Sequence, residues 1–256
     1  MDDDQRDTPG PASGPGSAGG PGTASVPEGL VTAVVDLVET GPVLLGAYTV
    51  AELTAVDAIV DFLEARPCDE VLAEAIRSLA ARQLLLAGSS PEQVQVRGDL
   101  GIAVAFQQRA RMVLDARAAG TEPGEPWRIL VLPQPERICL VVRIDALGVH
   151  EIALHKLDET LRMLTEWLPR GTAAREETVA DADALLTGSD RSALVTVTEY
   201  TAQGSAEIAG DSRDLVLAHR SGRLHALTRT RPGPLEPVTV EGRDGVRDRL
   251  VDLIAA

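Results

Sequence analysis

Apolar positions along this chain follow two different periods. From Glu28 to Arg117 they recur mostly three and four residues apart, as on one helical face; from Arg128 onward they gather into short β-branched and leucine-rich runs. The first stretch therefore reads as helical. Leu30 to Glu39 makes one helix, ended by Gly41-Pro42, and Thr49 caps a second whose stripe is Leu53, Val56, Val60 and Leu63, closed by Pro67. A third starts at Asp69, turns Leu72, Ala75, Ile76 and Leu79 inward, and runs to Ala87-Gly88. Gln93 to Arg97 alternates like a short exposed strand, and Asp99 opens a further helix through Val104 and Arg109 towards Leu114. No strand is expected between the first two helices.

The clearest pattern lies between 128 and 169. Arg128-Ile-Leu-Val-Leu132, Arg137-Ile-Cys-Leu-Val-Val-Arg-Ile144 and Val149-His-Glu-Ile-Ala-Leu-His155 form a three-stranded meander bounded by Pro133, Pro135 and Gly148. An amphipathic helix follows. Leu157, Leu161, Leu164 and Leu168 share one stripe, Asp158 is the expected N-cap, and Pro169 stops the helix. A polar stretch then leads to a short helix around Val179 to Leu186. The plan is repeated at the C-terminus: Ala193 to Thr198, Asp214 to Ala218, Arg223 to Leu227 and Pro237 to Val240 read as strands, and a helix from Asp244 turns Val246, Leu250, Leu253 and Ile254 inward.

The predicted fold class is α+β: a mainly antiparallel sheet built from two pseudo-repeated meander-plus-helix units, preceded by a helical N-terminal part. Three regions follow: a Gly/Pro/Ser-rich tail over 1–27 with too little apolar surface to fold, a helical part over 28–117, and an α+β body over 118–256 that opens with a Gly-Pro-Glu linker at 118–127.

Composition narrows the function more than the fold. Two Phe, two Tyr and two Trp leave Leu, Val, Ala and Ile to fill the core. The basic residues are all arginine except Lys156, and Asn is absent, which points to a GC-rich genome such as an actinobacterial one. A net charge of −15 makes nucleic acid and anionic membranes poor partners. No apolar run reaches the roughly 20 residues that span a bilayer, and the start Met-Asp-Asp-Asp lacks the features of a signal peptide, so a cytoplasmic location is expected. Cys68 and Cys139 read as two buried free thiols.

Candidate chemistry is weak throughout. His150, Glu151 and His155 do not match the zinc motif, which needs histidines four apart on a helix; in a strand an odd separation sends them to opposite faces. His219 and His225 flank a turn at Ser221-Gly222. Neither Gly188-Ser-Asp-Arg191 nor Gly204-Ser-Ala-Glu207 forms a nucleophile elbow, and Asp181 and Asp183 sit on different sides of a helix. Gly14-Pro-Gly-Ser-Ala-Gly19 matches the dinucleotide fingerprint in letters only, with no strand before it. Trp127 and Trp167 read as core or interface residues. No catalytic, cofactor-binding or metal-binding residue is assigned, and an enzyme is not expected.

Two helices, a leucine-rich helix and a short strand are also the order of a winged-helix regulator. The third helix, however, sets Arg77 and Arg82 against Asp69, Glu70 and Glu74, the wrong balance for reading DNA.

The order of elements, with Leu79-Ala-Ala-Arg-Gln-Leu-Leu-Leu86, the Arg111-Met-Val-Leu-Asp-Ala-Arg117 segment and two strand-rich units each closed by a leucine-striped helix, resembles the EspG family of ESX (type VII) secretion-associated proteins of actinobacteria. That resemblance implies a non-catalytic cytosolic chaperone without cofactors, whose partner is a helical secreted protein. The chain differs from the family in lacking a Trp in Leu235 to Val240 before the last helix, and the resemblance transfers no partner-binding residue to a numbered position. The alternatives are the winged-helix regulator and a general α+β interaction protein.

Overall fold

The computed structural model describes residues 27–58, 66–87, 94–174, 182–203 and 206–255, and at its centre two strands, β5 (Arg128–Pro133) and β6 (Ile138–Ile144), are buried on both faces. Their sequences are nearly continuous apolar runs for that reason. Around them lie β1 (Val43–Thr49), β4 (Met112–Ala119), β7 (Val149–Lys156), β9 (Arg191–Gln203), β10 (Ala206–Arg220), β11 (Arg223–Thr230) and the two-residue β12 (Glu236–Pro237). The sheet order is β1-β7-β6-β5-β4-β9-β10-β11-β12, antiparallel along this path, with β8 (Thr172–Ala173) added in parallel on β11. A separate small sheet pairs β2 (Leu85–Ala87) with β3 (Val94–Val96).

The duplication expected from the sequence is present. β4 to β7 form a meander closed by α5 (Leu157–Trp167); β9 to β12 form another closed by α7 (Gly242–Ala255). The halves join through their first strands, β4 running antiparallel to β9 from Met112↔Glu199 to Ala119↔Ser192. An approximate twofold axis thus passes between β4 and β9. α5 and α7 pack together on one face, where Leu161, Leu164, Val246 and Leu250 cover Leu114, Val131, Val141, Val195 and Leu217 from both halves.

The opposite face is covered unevenly. Over the first half lie α1 (Glu28–Thr40), α2 (Val50–Ala55), α3 (Asp69–Ala81) and α4 (Gly98–Arg109), which bring Val38, Leu53, Leu79 and Phe106 against Leu130, Leu140, Val142 and Ile152. Over the second half, among the described residues, the short α6 (Ala182–Thr187) packs through Leu185 in a smaller cluster with Val216, Ala218 and Leu227.

Several expectations are corrected. Two segments expected to be helix or loop are strands: β1 fills the place where no strand was expected, and β4 occupies the end of the supposed fourth helix. The first meander therefore has four strands, as the second was expected to have, and the supposed linker is the end of β4 followed, over 120–127, by the loop of the β4–β5 hairpin. The third helix stops at Ala81, with Gln83 at φ 59°, and Leu85–Ala87 leaves it as a strand. Ile76 is 45% exposed, and Cys68 is exposed at the start of α3. Asp158 is not the cap of α5; Lys156 holds that position without a side-chain bond, and Asp158 sits in the first turn. In the region compared with a winged helix, β1 pairs with β7 in the large sheet and leaves the β2–β3 hairpin by itself. Val60, Leu63 and the tail over 1–26 lie outside the described residues. Among the described residues no helix is long and apolar enough to cross a membrane.

Candidate functional site

Beyond α6, the same face of the second half-sheet carries a strip that is polar, next to the apolar Val216, Ala218 and Leu227. Pairing of Asp115 on β4 with Thr196 on β9, of Thr196 with Asp214 on β10, and of Asp214 with Arg229 on β11 places all four on one face in one cross-strand row. Asp214 is fully buried beneath its partners. Its Oδ1 accepts from Thr196 Oγ1 at 2.7 Å and Arg231 Nη2 at 3.1 Å, and its Oδ2 accepts from Arg231 Nε at 2.8 Å and from Arg229 Nε. Burial, the largest influence, pushes this carboxyl up, yet the hydrogen bonds from Arg231, Thr196 and Arg229 together hold it below the usual carboxylate range. Asp115 repeats the design: Arg128 binds it at 2.8 and 2.9 Å, and Arg117 at 2.9 Å. Thr198 and Ser212 share a hydrogen bond in the next row.

Each carboxylate here is saturated by guanidinium groups, whose charge is fixed at any working pH. Neither is available as a general base or a metal ligand. The strip is a rigid, satisfied polar surface, suited to contact and not to proton transfer.

A second concavity lies at the other end of the sequence. Thr49 closes a capping box with Glu52, whose other oxygen accepts from Ser78 at 2.9 Å and Arg82 at 2.9 Å, so α2 is tied to α3 by one buried acid. Arg82 also stacks on Tyr48, 5.2 Å from its ring centre. Between the two helices runs an open groove of about 430 Å³ whose walls include Ala51, Val71, Ala75 and Ser78, with Glu70 and Glu74 at its lip. Arg77 is paired to Glu74, so both arginines of the helix compared with a DNA reader are engaged by acids within the protein.

The residues singled out by sequence are kept apart. His150 and His155 point to opposite faces of β7, as the odd spacing required; His150 is buried and bonded through Nδ1 to the Gly148 carbonyl at 3.0 Å. His219 pairs with Leu224 and His225 with Ala218, which puts these two histidines on opposite faces as well. Cys139 is buried, and burial pushes its thiol up to about 12, so it stays protonated and unreactive. Trp167 is a core residue whose Nε1 donates to the Pro126 carbonyl at 3.0 Å, and Trp127 packs partly buried on the opposite core. Asp181 and the fingerprint-like Gly14 to Gly19 lie outside the described residues. Among the described residues no three His, Cys, Asp or Glu side chains gather to hold a metal ion.

Sequence reasoning missed the Asp115 and Asp214 clusters and the α2–α3 groove. A signal was present for the clusters: Asp115 with Arg117, and Arg229 with Arg231, are two apart, the spacing that returns to one face of a strand.

No protein-family model matches the chain, and no curated protein matches its sequence. The fold does match a solved structure, that of the Mycobacterium tuberculosis type VII secretion system chaperone EspG5 in complex with a PE25–PPE41 dimer. The TM-score is 0.51 at 10% identity, over 82% of this chain and 95% of that one. The likeness is one of fold.

Proposed function

We propose that this chain is a non-catalytic, cytoplasmic chaperone that holds a helical protein substrate of a type VII secretion system. The observation that carries this reading is the shared fold: the match to EspG5 spans nearly all of that chaperone and most of this chain. The site geometry supports it. The acids on the open sheet face are locked to arginines and no reacting groups converge there, while the face itself is bounded by helices, the shape that receives an amphipathic partner. An acidic protein also repels its own copies, which suits an escort that must stay dispersed while carrying an apolar cargo.

Co-expression with helical substrates of a type VII system is the test. A substrate that is insoluble alone should enter the soluble fraction and stay with this chain through size exclusion at a fixed ratio. Substrates that remain insoluble in its presence, or tight binding of duplex DNA at low salt, overturn the proposal.

A further inference from the structure

Two surfaces could contact a partner, and their charges select different chemistry. On the sheet strip every arginine described above already lies on a carboxylate, so an anionic partner gains little there and must approach a molecule of net charge −15. The α2–α3 groove has the opposite character. Ala51, Val71 and Ala75 give it a largely apolar surface, and Val71 is 47% exposed on α3. At its lip Glu74 is shared with Arg77, whereas Glu70 has no cationic partner among the described residues. Hydrogen bonds from its own main-chain N–H and from the Cys68 thiol hold Glu70 below the usual carboxylate range, so it is ionised at every physiological pH. The groove floor is preorganised by the bonds of Glu52 to Thr49, Ser78 and Arg82.

A largely apolar groove edged by a carboxylate that has no cationic partner among the described residues suits a long aliphatic stem with a cationic head. We infer that the groove between α2 and α3 docks a basic, apolar-faced helix of a protein partner, laying an arginine or lysine stem along Val71 with its head at Glu70. The docking presupposes a protein partner, as proposed above, and adds the chemistry of one contact. The overall negative charge steers such a helix inward and disfavours acidic segments.

The probe is a labelled amphipathic peptide with Leu and Arg on one helical face, compared with a twin carrying Gln at each Arg. The full chain should bind the Arg peptide more tightly than the twin, and the preference should shrink as salt is raised. Glu70→Gln with Glu74→Gln should weaken the Arg peptide about threefold, the scale of one exposed ion pair, and leave the twin unaffected. Amide exchange should slow over 69–78 when the Arg peptide is bound. Equal binding of both peptides, or unchanged binding by the double variant, overturns the inference. Both glutamates lie on the surface, so a matched thermal unfolding midpoint verifies that the variant is folded. Failure here with intact substrate solubilisation sinks the groove alone; failed solubilisation by the unaltered chain with the peptide preference intact sinks the chaperone reading alone.

Discussion

Asp115 and Asp214 stand on either side of Thr196 in a single cross-strand row, each closed by two arginines. Each half-sheet is thereby braced by its own charge cluster, Asp115 with Arg117 and Arg128 in the first and Asp214 with Arg229 and Arg231 in the second. A buried carboxylate is tolerated only while its partners are present.

Asp214→Asn should therefore cost about 3 kcal/mol at neutral pH, since it leaves Arg229 and Arg231 crowded without their shared anion. The carboxyl is depressed in the fold, so its contribution is complete above the ordinary value of 3.8 and disappears as pH falls through the folded value. Guanidinium unfolding at a series of pH values checks this: the gap between the native chain and Asp214→Asn should be widest at neutral pH and close in acid. A gap independent of pH would refute it.

Histidine gives the second pH effect. Burial, opposed by the Gly148 carbonyl and joined by Arg128, holds His150 below its ordinary 6.5, and burial does the same for His155. The unfolded chain then binds protons first, so stability should begin to fall as pH drops below 6.5 and level off below the folded values. His150→Gln with His155→Gln should flatten the curve between pH 7 and 5, read from the midpoint of chemical unfolding.

Gly120 adopts φ 73° where β4 ends, and a Cβ there would collide with the carbonyl oxygen of Asp190 just before β9. Gly120→Ala should cost at least about 2 kcal/mol, from strain and from separation of the β4–β9 seam. Gly29, with open space in the first turn of α1, is the control and should tolerate alanine without loss. Thermal unfolding of the two variants decides.

Leu164 on α5 and Leu250 on α7 are both fully buried in the core the two helices share. Truncation of either to Ala should cost about 3 kcal/mol, whereas Leu147→Ala, at a position 88% exposed, should stay within about 0.5 kcal/mol. Unequal costs for Leu164 and Leu250 would show that the two halves do not share the load.

Elements with a strong period were legible in the sequence, and those decided by their neighbours were not. The stripe of α5 and the apolar runs of β5 and β6 are set by burial of a whole face or of both, so they appear in the letters. β4 reads Met-Val-Leu-Asp-Ala-Arg-Ala-Ala, rich in residues a helix accepts; only pairing with β5 and β9 makes it a strand. β1 hides in the same way, since its bulge between Leu44 and Gly46 breaks the alternation that would have marked it. Of the candidate surfaces, the capping box Thr49–Glu52 was half visible as a helix start. That Glu52 would also reach Ser78 and Arg82 depends on how α3 returns against α2, which no local spacing encodes.

The seam between β4 and β9 sets a schedule for synthesis. About 70 residues separate the end of the earlier strand from the start of the later one, so at roughly 5–20 residues per second the nascent chain waits about 4–14 seconds with one flank of Met112–Ala119 unclaimed. During that interval the ribosome-bound half displays a bare edge to its surroundings, and it needs shielding until the second half emerges.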